Sequence, residues 1–258
     1  MNIKENTVLI TGGASGIGYA LAERFIKEGN EVIICGRSMD KLEAAKKKLP
    51  ELHIKQCDIS VEAQRIALFE EVTKEFPEIN VIVNNAGLQV QRDLTQDVDW
   101  SSCAKEIATN MEAPIHLCTL FVPVLKGKEN ATIINVTSGL AFLPAPYVPI
   151  YTATKAGMHN FTFCLRQHVA ECGIDVVEVI PPPVNTNLGG AGVHANIGAD
   201  LNVYADSVMD GLKAGDKELT FGFSTQNHAK SRKELEAMAA ATWANRGKMT
   251  PPSLKEQR

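Results

Sequence analysis

The sequence predicts one α/β domain: a seven-stranded, mostly parallel sheet with helices packed on both faces. Two features predict it. Short apolar runs rich in β-branched residues alternate with helical patterns along most of the chain, as a buried parallel sheet requires. The 258 residues contain no internal repeat, low-complexity segment or linker that would divide them. A chain of that length buries roughly 70% or more of its unfolded surface, so the core needs no staples.

In chain order, Thr7–Thr11 is the first strand and Tyr19–Glu28 the first helix, stopped by Gly29. Between them stand Gly12, Gly13, Gly16 and Gly18. Glu31–Cys35 is the second strand, and Ser38 is placed to cap a helix running to Lys48. His53–Cys57 is the third, ending in Asp58 and Ile59, with Ser60 placed to cap a helix over 61–75. Asn80–Asn84, the fourth, leads into Asn85, Ala86 and Gly87, small residues that suit close passage of a ligand. One long helix is predicted over about 100–125, carrying Asn110 in its interior. Ala131–Val136 is the fifth strand, closed by Thr137, Ser138 and Gly139. A helix containing Tyr151 runs to Gly173, Asp175–Ile180 is the sixth strand and Glu218–Phe221 the seventh. From about 223 the chain reads as a hydrophilic C-terminal tail with a helix over Ser231–Trp243; Pro251–Arg258 should fray.

Composition excludes several function classes. Hydrophobic residues at 45% and charged ones at 22% are ordinary for a soluble globular protein. A formal charge of −4 provides no basic footprint for nucleic acid or anionic lipid. The six cysteines, at 35, 57, 103, 118, 164 and 172, form no CxxC pair and no metal-ligand spacing. A reducing, cytoplasmic setting and no metal are therefore expected. The N-terminus enters a strand without a signal-peptide pattern, and no apolar run approaches the ~20 residues of a membrane span.

Two stretches carry chemistry. A strand, a glycine turn and a helix in that order form the first unit of a dinucleotide-binding fold. The glycines let backbone approach a pyrophosphate, and the helix N-terminus offers N–H donors. The spacing here is G-x-x-x-G-x-G rather than the general G-x-G-x-x-G. After the second strand the chain reads Gly36-Arg37-Ser38, so the carboxylate that would hold a ribose 2′-hydroxyl is missing and a guanidinium suited to a 2′-phosphate is present. This favours NADP, with NAD still open. The second stretch is Tyr151-Thr-Ala-Thr-Lys155, which in a helix puts the phenol and the ammonium one turn apart. A tyrosine pKa near ~10 must fall by about three units for general acid–base work near neutrality, roughly 4 kcal/mol of differential interaction. A partly buried lysine together with a second positive charge, such as an oxidised nicotinamide, could supply it.

Thr11–Gly18 (TGGASGIG), Asn84–Gly87 (NNAG), Asn110, Ser138 and Tyr151-x-x-x-Lys155 resemble, in order and separation, the short-chain dehydrogenase/reductase family over about residues 5–190. The resemblance implies a Rossmann-type fold and roles for named residues. Tyr151 would exchange the substrate proton; Lys155 would bind the nicotinamide ribose and depress the tyrosine pKa. Ser138 would hold the substrate oxygen, and Asn110 a water that relays protons from Lys155. Gly12, Ser15, Gly16, Ile17 and Gly18 would wrap the pyrophosphate, with Arg37 and Ser38 at the 2′-phosphate. Asp58 and Ile59 would meet the adenine, and Asn85, Ala86 and Gly87 the adenosine side. Pro181, Val184 and Thr186 would hold the nicotinamide. One position departs from the family pattern: Pro182 stands where Pro-Gly-x-Val-x-Thr has glycine, so that N–H is lost. Glu31–Ser38, Thr137–Phe142 and the triple proline also resemble a narrower bacterial subgroup, the DltE-like oxidoreductases, which implies no particular substrate.

Leu140–Val148, with its prolines, reads as a stiff apolar wall, and the glycine-rich Leu188–Gly198, within a substrate loop of about 187–205, as a lid. His194 lies in that loop and is left outside the catalytic set, since a lone loop histidine is usually solvated. The flanks suit a small, largely apolar carbonyl or secondary alcohol. The resemblance further implies a homodimer or homotetramer in which helices 100–125 and 151–172 pair between subunits; Ala153, Ala156 and Gly157 would permit close approach there or inside one subunit. An NADP-dependent oxidoreductase is thus the leading expectation. The alternative is a non-catalytic NADP(H)-binding regulator, which would have no need of Asn110, Ser138, Tyr151 and Lys155 together. An epimerase of the extended relatives fits less well, for want of a large C-terminal substrate domain.

Overall fold

Three central strands are buried on both faces, which is why they read as unbroken apolar runs rather than alternating ones. The computed structural model describes residues 1–195 and 197–245. The strands are β1 (Thr7–Thr11), β2 (Glu31–Gly36), β3 (His53–Gln56), β4 (Ile79–Asn84), β5 (Thr132–Val136), β6 (Asp175–Ile180) and β7 (Glu218–Thr220). They form one sheet in the order β3-β2-β1-β4-β5-β6-β7. Every pairing is parallel, so the expected "mostly parallel" sheet is wholly so. The strand order reverses between β1 and β4, and the crevice at the carboxyl ends of that pair is where such sheets bind ligands.

The helices are α1 (Gly16–Lys27), α2 (Met39–Lys48), α3 (Glu62–Glu75), α4 (Trp100–Ile107), α5 (Ala113–Leu125), α6 (Pro149–His168), α7 (Leu201–Ala214), α8 (Phe223–His228) and α9 (Arg232–Ala244). One face of the sheet packs on α1, α2 and α7 through Leu21, Phe25, Leu42 and Val208. The other packs on α3, α5 and α6 through Leu68, Val72, Leu117, Phe121 and Leu165.

The structure corrects the expected elements in four places. The single helix over about 100–125 is two, α4 and α5, joined by a π-helical turn at Ala108–Glu112. Asn110 sits in that turn, where its amide is bonded to a neighbouring chain segment; such widened turns often mark functional sites. Ser60 does not cap α3: its hydroxyl donates to Asp58 Oδ1 (2.7 Å), and Val61 precedes the helix with no side-chain cap. The substrate loop is shorter than 187–205, because Asp200 caps α7 through Asn202 and Val203 N–H. The stretch from 223 is no simple tail. In α8 Ser224 and Asn227 are buried, and Ser224 Oγ donates to Ile180 O (2.6 Å) at the end of β6. Ser231 opens α9 with a capping box to Glu234. The expected fraying of Pro251–Arg258 concerns residues outside those described.

Candidate active site

The turn after β1 uses its glycines in two ways. Gly12 (φ +66°) and Gly16 (φ +56°) take the left-handed backbone that side chains avoid. Gly13 and Gly18 are needed for space: a Cβ would lie 2.4 Å from Ile34 Cγ2 in the first case and 2.4 Å from Asn85 Nδ2 in the second. Gly18 therefore packs α1 against the turn and does not line the cleft. Ser15 precedes α1 without a side-chain cap, and the first turn carries no acidic residue, which leaves the helix end electropositive. Thr11, to which the sequence reading assigned no role, locks this turn to the next strand. Its Oγ1 accepts from Asn85 N (3.0 Å) and Ala86 N (3.1 Å), and Asn85 Nδ2 donates to Thr11 O (2.9 Å).

Past β2, Arg37 and Ser38 line the same cleft, joined by Lys41 one turn into α2. Ser38 Oγ accepts from Lys41 N (3.4 Å), the expected cap. Asp58 and Ile59 lie at the end of β3, where hydrogen bonds from Ser60 and Lys105 outweigh burial and hold the Asp58 carboxyl below its usual range. Asn85, Ala86 and Gly87 line the cleft at the end of β4.

The floor is built by α6. Pro149 sits at its first turn, where a missing N–H is harmless. Tyr151 and Lys155 follow on one face, both 4% exposed. Lys155 Nζ donates to Val136 O (2.8 Å) at the end of β5 and lies 5.6 Å from the centre of the Tyr151 ring. Ser138 lines the cleft beside the phenol, where it favours the ionised form. Burial pushes Tyr151 up to about 12, against Ser138 and aided by the Glu106 carboxylate. Burial pushes Lys155 down to about 8, with Glu178 opposing. In the chain alone, burial outweighs any depression of the tyrosine, and the second positive charge that the expectation calls for would have to come from a cofactor. Desolvation disfavours both charged forms, and it wins.

Asn110 stands one layer behind the cleft lining. Its Oδ1 accepts from Leu88 N (2.7 Å) and its Nδ2 donates to Leu88 O (2.7 Å) and Thr154 Oγ1 (3.3 Å). It thereby clasps the chain after β4 to α6. Pro181, Val184 and Thr186 line the far side. The prolines lack N–H groups but their carbonyls serve: Pro181 O holds Gly139 N (2.8 Å) and Pro183 O holds Ala199 N (2.8 Å). Together these residues enclose a cleft of about 1250 Å³ that runs from the β2–β3 end across the switch point to the wall 140–147.

Other contributors carried no local sequence signal. A buried ion pair between Arg92 and Glu106 ties the segment after β4 to α4, and Arg92 N donates to Tyr147 O (3.1 Å) in the wall. Thr242 of α9 also reaches the cleft. Gly157 packs within the subunit, since a Cβ there would lie 3.0 Å from Met111 Sδ.

The short chain dehydrogenase family model matches residues 6–195. The chain belongs to the short-chain dehydrogenase family. It is 44% identical over 225 residues to the uncharacterized oxidoreductase DltE of Bacillus subtilis, covering 85% of this chain and 89% of that one, which supports membership of the DltE-like subgroup. A tropinone reductase homolog of Datura stramonium is 34% identical over 192 residues, covering 72% and 70%. Among solved structures, a short chain dehydrogenase of Burkholderia cenocepacia in complex with NADP superposes with a TM-score of 0.78 at 24% identity, over 93% of this chain and 99% of the other. One of Sphingobium yanoikuyae in complex with NADPH gives 0.77 at 23%, over 96% and 97%. The fold, a single Rossmann-type domain, and the oxidoreductase class are those of the family. No described helix is long and apolar enough to cross a membrane.

The Thr11 lock is directly testable. Thr11→Val leaves the Asn85 and Ala86 amides without their acceptor, costing about 2 kcal/mol. Amide exchange followed by NMR should show those two protons losing protection first.

Proposed function

We propose that the protein is an NADP-dependent oxidoreductase that moves a hydride between the nicotinamide and a small, largely apolar carbonyl or secondary alcohol, with Tyr151 as general acid/base. The observation that carries it is the burial of Tyr151 beside Lys155 and Ser138 at the switch point, facing the same cleft as the glycine turn. The residues present fit a dinucleotide. Gly12 and Gly16 line the cleft in left-handed backbone, leaving it free of side chains there, and the turn opens on an uncapped helix end.

Arg37 and Lys41 supply two cations where a 2′-phosphate would lie, and Arg37 rather than a carboxylate follows Gly36 at the end of β2. The NADP and NADPH complexes among the structural neighbours agree with this choice. The bound cofactor would supply the hydride. Lys155 would hold the ribose, Ser138 would donate to the substrate oxygen, and Tyr151 would give or take the proton on that oxygen. An oxidised nicotinamide adds the positive charge that the protein's own groups lack, and so favours the phenolate.

The substrate end of the cleft supports an uncharged substrate. Of the described lining residues, the Lys, Arg, Asp and Glu members are Arg37, Lys41 and Asp58 at the far end and Lys155 in the floor. Leu140, Leu143, Tyr147, Leu188, Ile197 and Phe223 surround the space above Ser138. His194 lies there with burial lowering its pKa, so it enters as a neutral imidazole. We further assign the protein to the cytoplasm as a homo-oligomer; Trp100 of α4 and Phe163 of α6, 68% and 54% exposed, suit pairing of those helices between copies.

With NADPH and a panel of uncharged ketones, Tyr151→Phe should lower turnover by about 10²- to 10⁴-fold and leave NADPH binding nearly unchanged. If wild type and variant bind NADPH and neither consumes it, a regulatory binding protein is the better reading. Arg37→Asp should weaken NADPH by about 100-fold and NADH far less, since only the former loses a charge-assisted phosphate contact. Equal loss for both cofactors contradicts the 2′-phosphate assignment.

A further inference from the structure

Beneath the active-site floor lies a row of polar side chains where an apolar layer is expected. Asn84 of β4 pairs in register with Asn135 of β5, Asn135 with Glu178 of β6, and Glu178 with Glu218 of β7. Two carboxylates thus stand side by side on adjacent strands, a destabilising arrangement unless each is compensated. Each has a histidine. His159 Nδ1 lies 3.1 and 2.9 Å from the two Glu178 oxygens, and His228 Nε2 lies 3.2 Å from Glu218 Oε2. The Phe142 ring stands edge-on to both imidazoles, at 4.6 Å from His159 and 4.8 Å from His228.

Glu178 is 1% exposed and occupies a position on β6 whose same-face neighbour Val176 is core. A buried carboxylate there is costly, so its surroundings bear on its purpose. Its two partners, Thr137 and His159, are chain neighbours of the groups around Lys155. Thr137 Oγ1 donates to Glu178 Oε1 (2.6 Å), and Val136, the residue before Thr137, supplies the carbonyl that holds Lys155 Nζ. His159 lies four residues after Lys155, one turn along the same face of α6. Lys155 itself has no carboxylate within salt-bridge distance among the described residues, yet the residue is only 4% exposed.

We propose that Glu178 and His159 are positioning residues for Lys155: the carboxylate stabilises the buried ammonium across the Val136–Thr137 segment, and the imidazole holds the carboxylate and covers its charge when protonated. This rests on the reading of Lys155 as a working group of the active site. The electrostatics run the same way, with Glu178 raising Lys155 against burial and the bond to Glu178 raising His159 above its ordinary value. The other groups in play are Tyr151 on α6, acted on by Glu106 of α4, and Arg166 and Glu218, which act on His159 in opposite directions. Arg166 bonds Glu218 (3.3 Å), and Lys217 is drawn away to Asp175 (2.5 Å).

The test is a pH titration of the Lys155 Cε signal by NMR in protein carrying 13C-labelled lysine, assigned with Lys155→Ala. In Glu178→Gln the Lys155 midpoint should fall by about one pH unit. A folded variant with an unchanged midpoint overturns the proposal. The wild-type signal should also show a second, smaller inflection as His159 loses its proton, absent in His159→Gln; no such inflection in wild type overturns it even if Glu178→Gln does not fold. None of these readings requires turnover. If Lys155 responds as stated while the ketone panel with NADPH shows no reaction, the positioning pair stands and the oxidoreductase reading falls. If ketones are reduced and Lys155 ignores both variants, the reverse holds.

Discussion

A phenol and an ammonium are held dry, one helical turn apart, over the carbonyl that ends β5. Most of the site follows from that burial. Water would let both groups take their ordinary charges independently. Without it the tyrosine is pushed up to about 12 and the lysine down to about 8, so each responds strongly to any charge brought near it. The protein's groups alone do not prepare a phenolate. On the proposed reading, the positive charge of an oxidised cofactor would do so.

The supporting structure keeps that floor in position. All seven strands direct their carboxyl ends at the cleft, through Gly12, Arg37, Asp58, Asn85, Ser138, Pro181 and Phe221. Crossing links fix one strand end to another: Thr11 to Asn85 and Ala86, Asn110 to Leu88 and Thr154, and Pro181 to Gly139. Each link satisfies backbone groups that a ligand-binding crevice would otherwise leave open. The wall 140–147 has a separate anchor in Arg92, whose buried partner Glu106 also adds to the rise of Tyr151.

The strands were legible in sequence because a parallel sheet buried on both faces writes itself as short apolar runs, and the glycine turn because its spacing follows from φ and space. The residues of the cleft lining were legible through resemblance, and the structure brings all of them to one cleft except Gly18 and Asn110, which support it from behind. The break at Ala108–Glu112 had a signal that the single-helix reading passed over: Pro114 lacks an N–H and crowds the carbonyl of Asn110, and the side chain of Asn110 is clasped by Leu88. Ser60 misled because a local aspartate competes for its hydroxyl. The burial of α8 and the Glu178–His159 pair depend on residues far apart in the chain, 44 between Ser224 and Ile180 and 19 between the pair, with no short-range pattern to announce them.

The floor serves proton transfer only if a bound oxidised cofactor turns the buried phenol into an ionisable one. The measurement is the Tyr151 Cζ chemical shift in protein carrying 13C-labelled tyrosine, titrated with and without saturating NADP⁺. Alone, Tyr151 should remain protonated until about pH 12; with NADP⁺ its midpoint should drop by roughly two or more units. A midpoint that stays where it was, with the cofactor demonstrably bound, would contradict the claim that this floor is built for proton transfer.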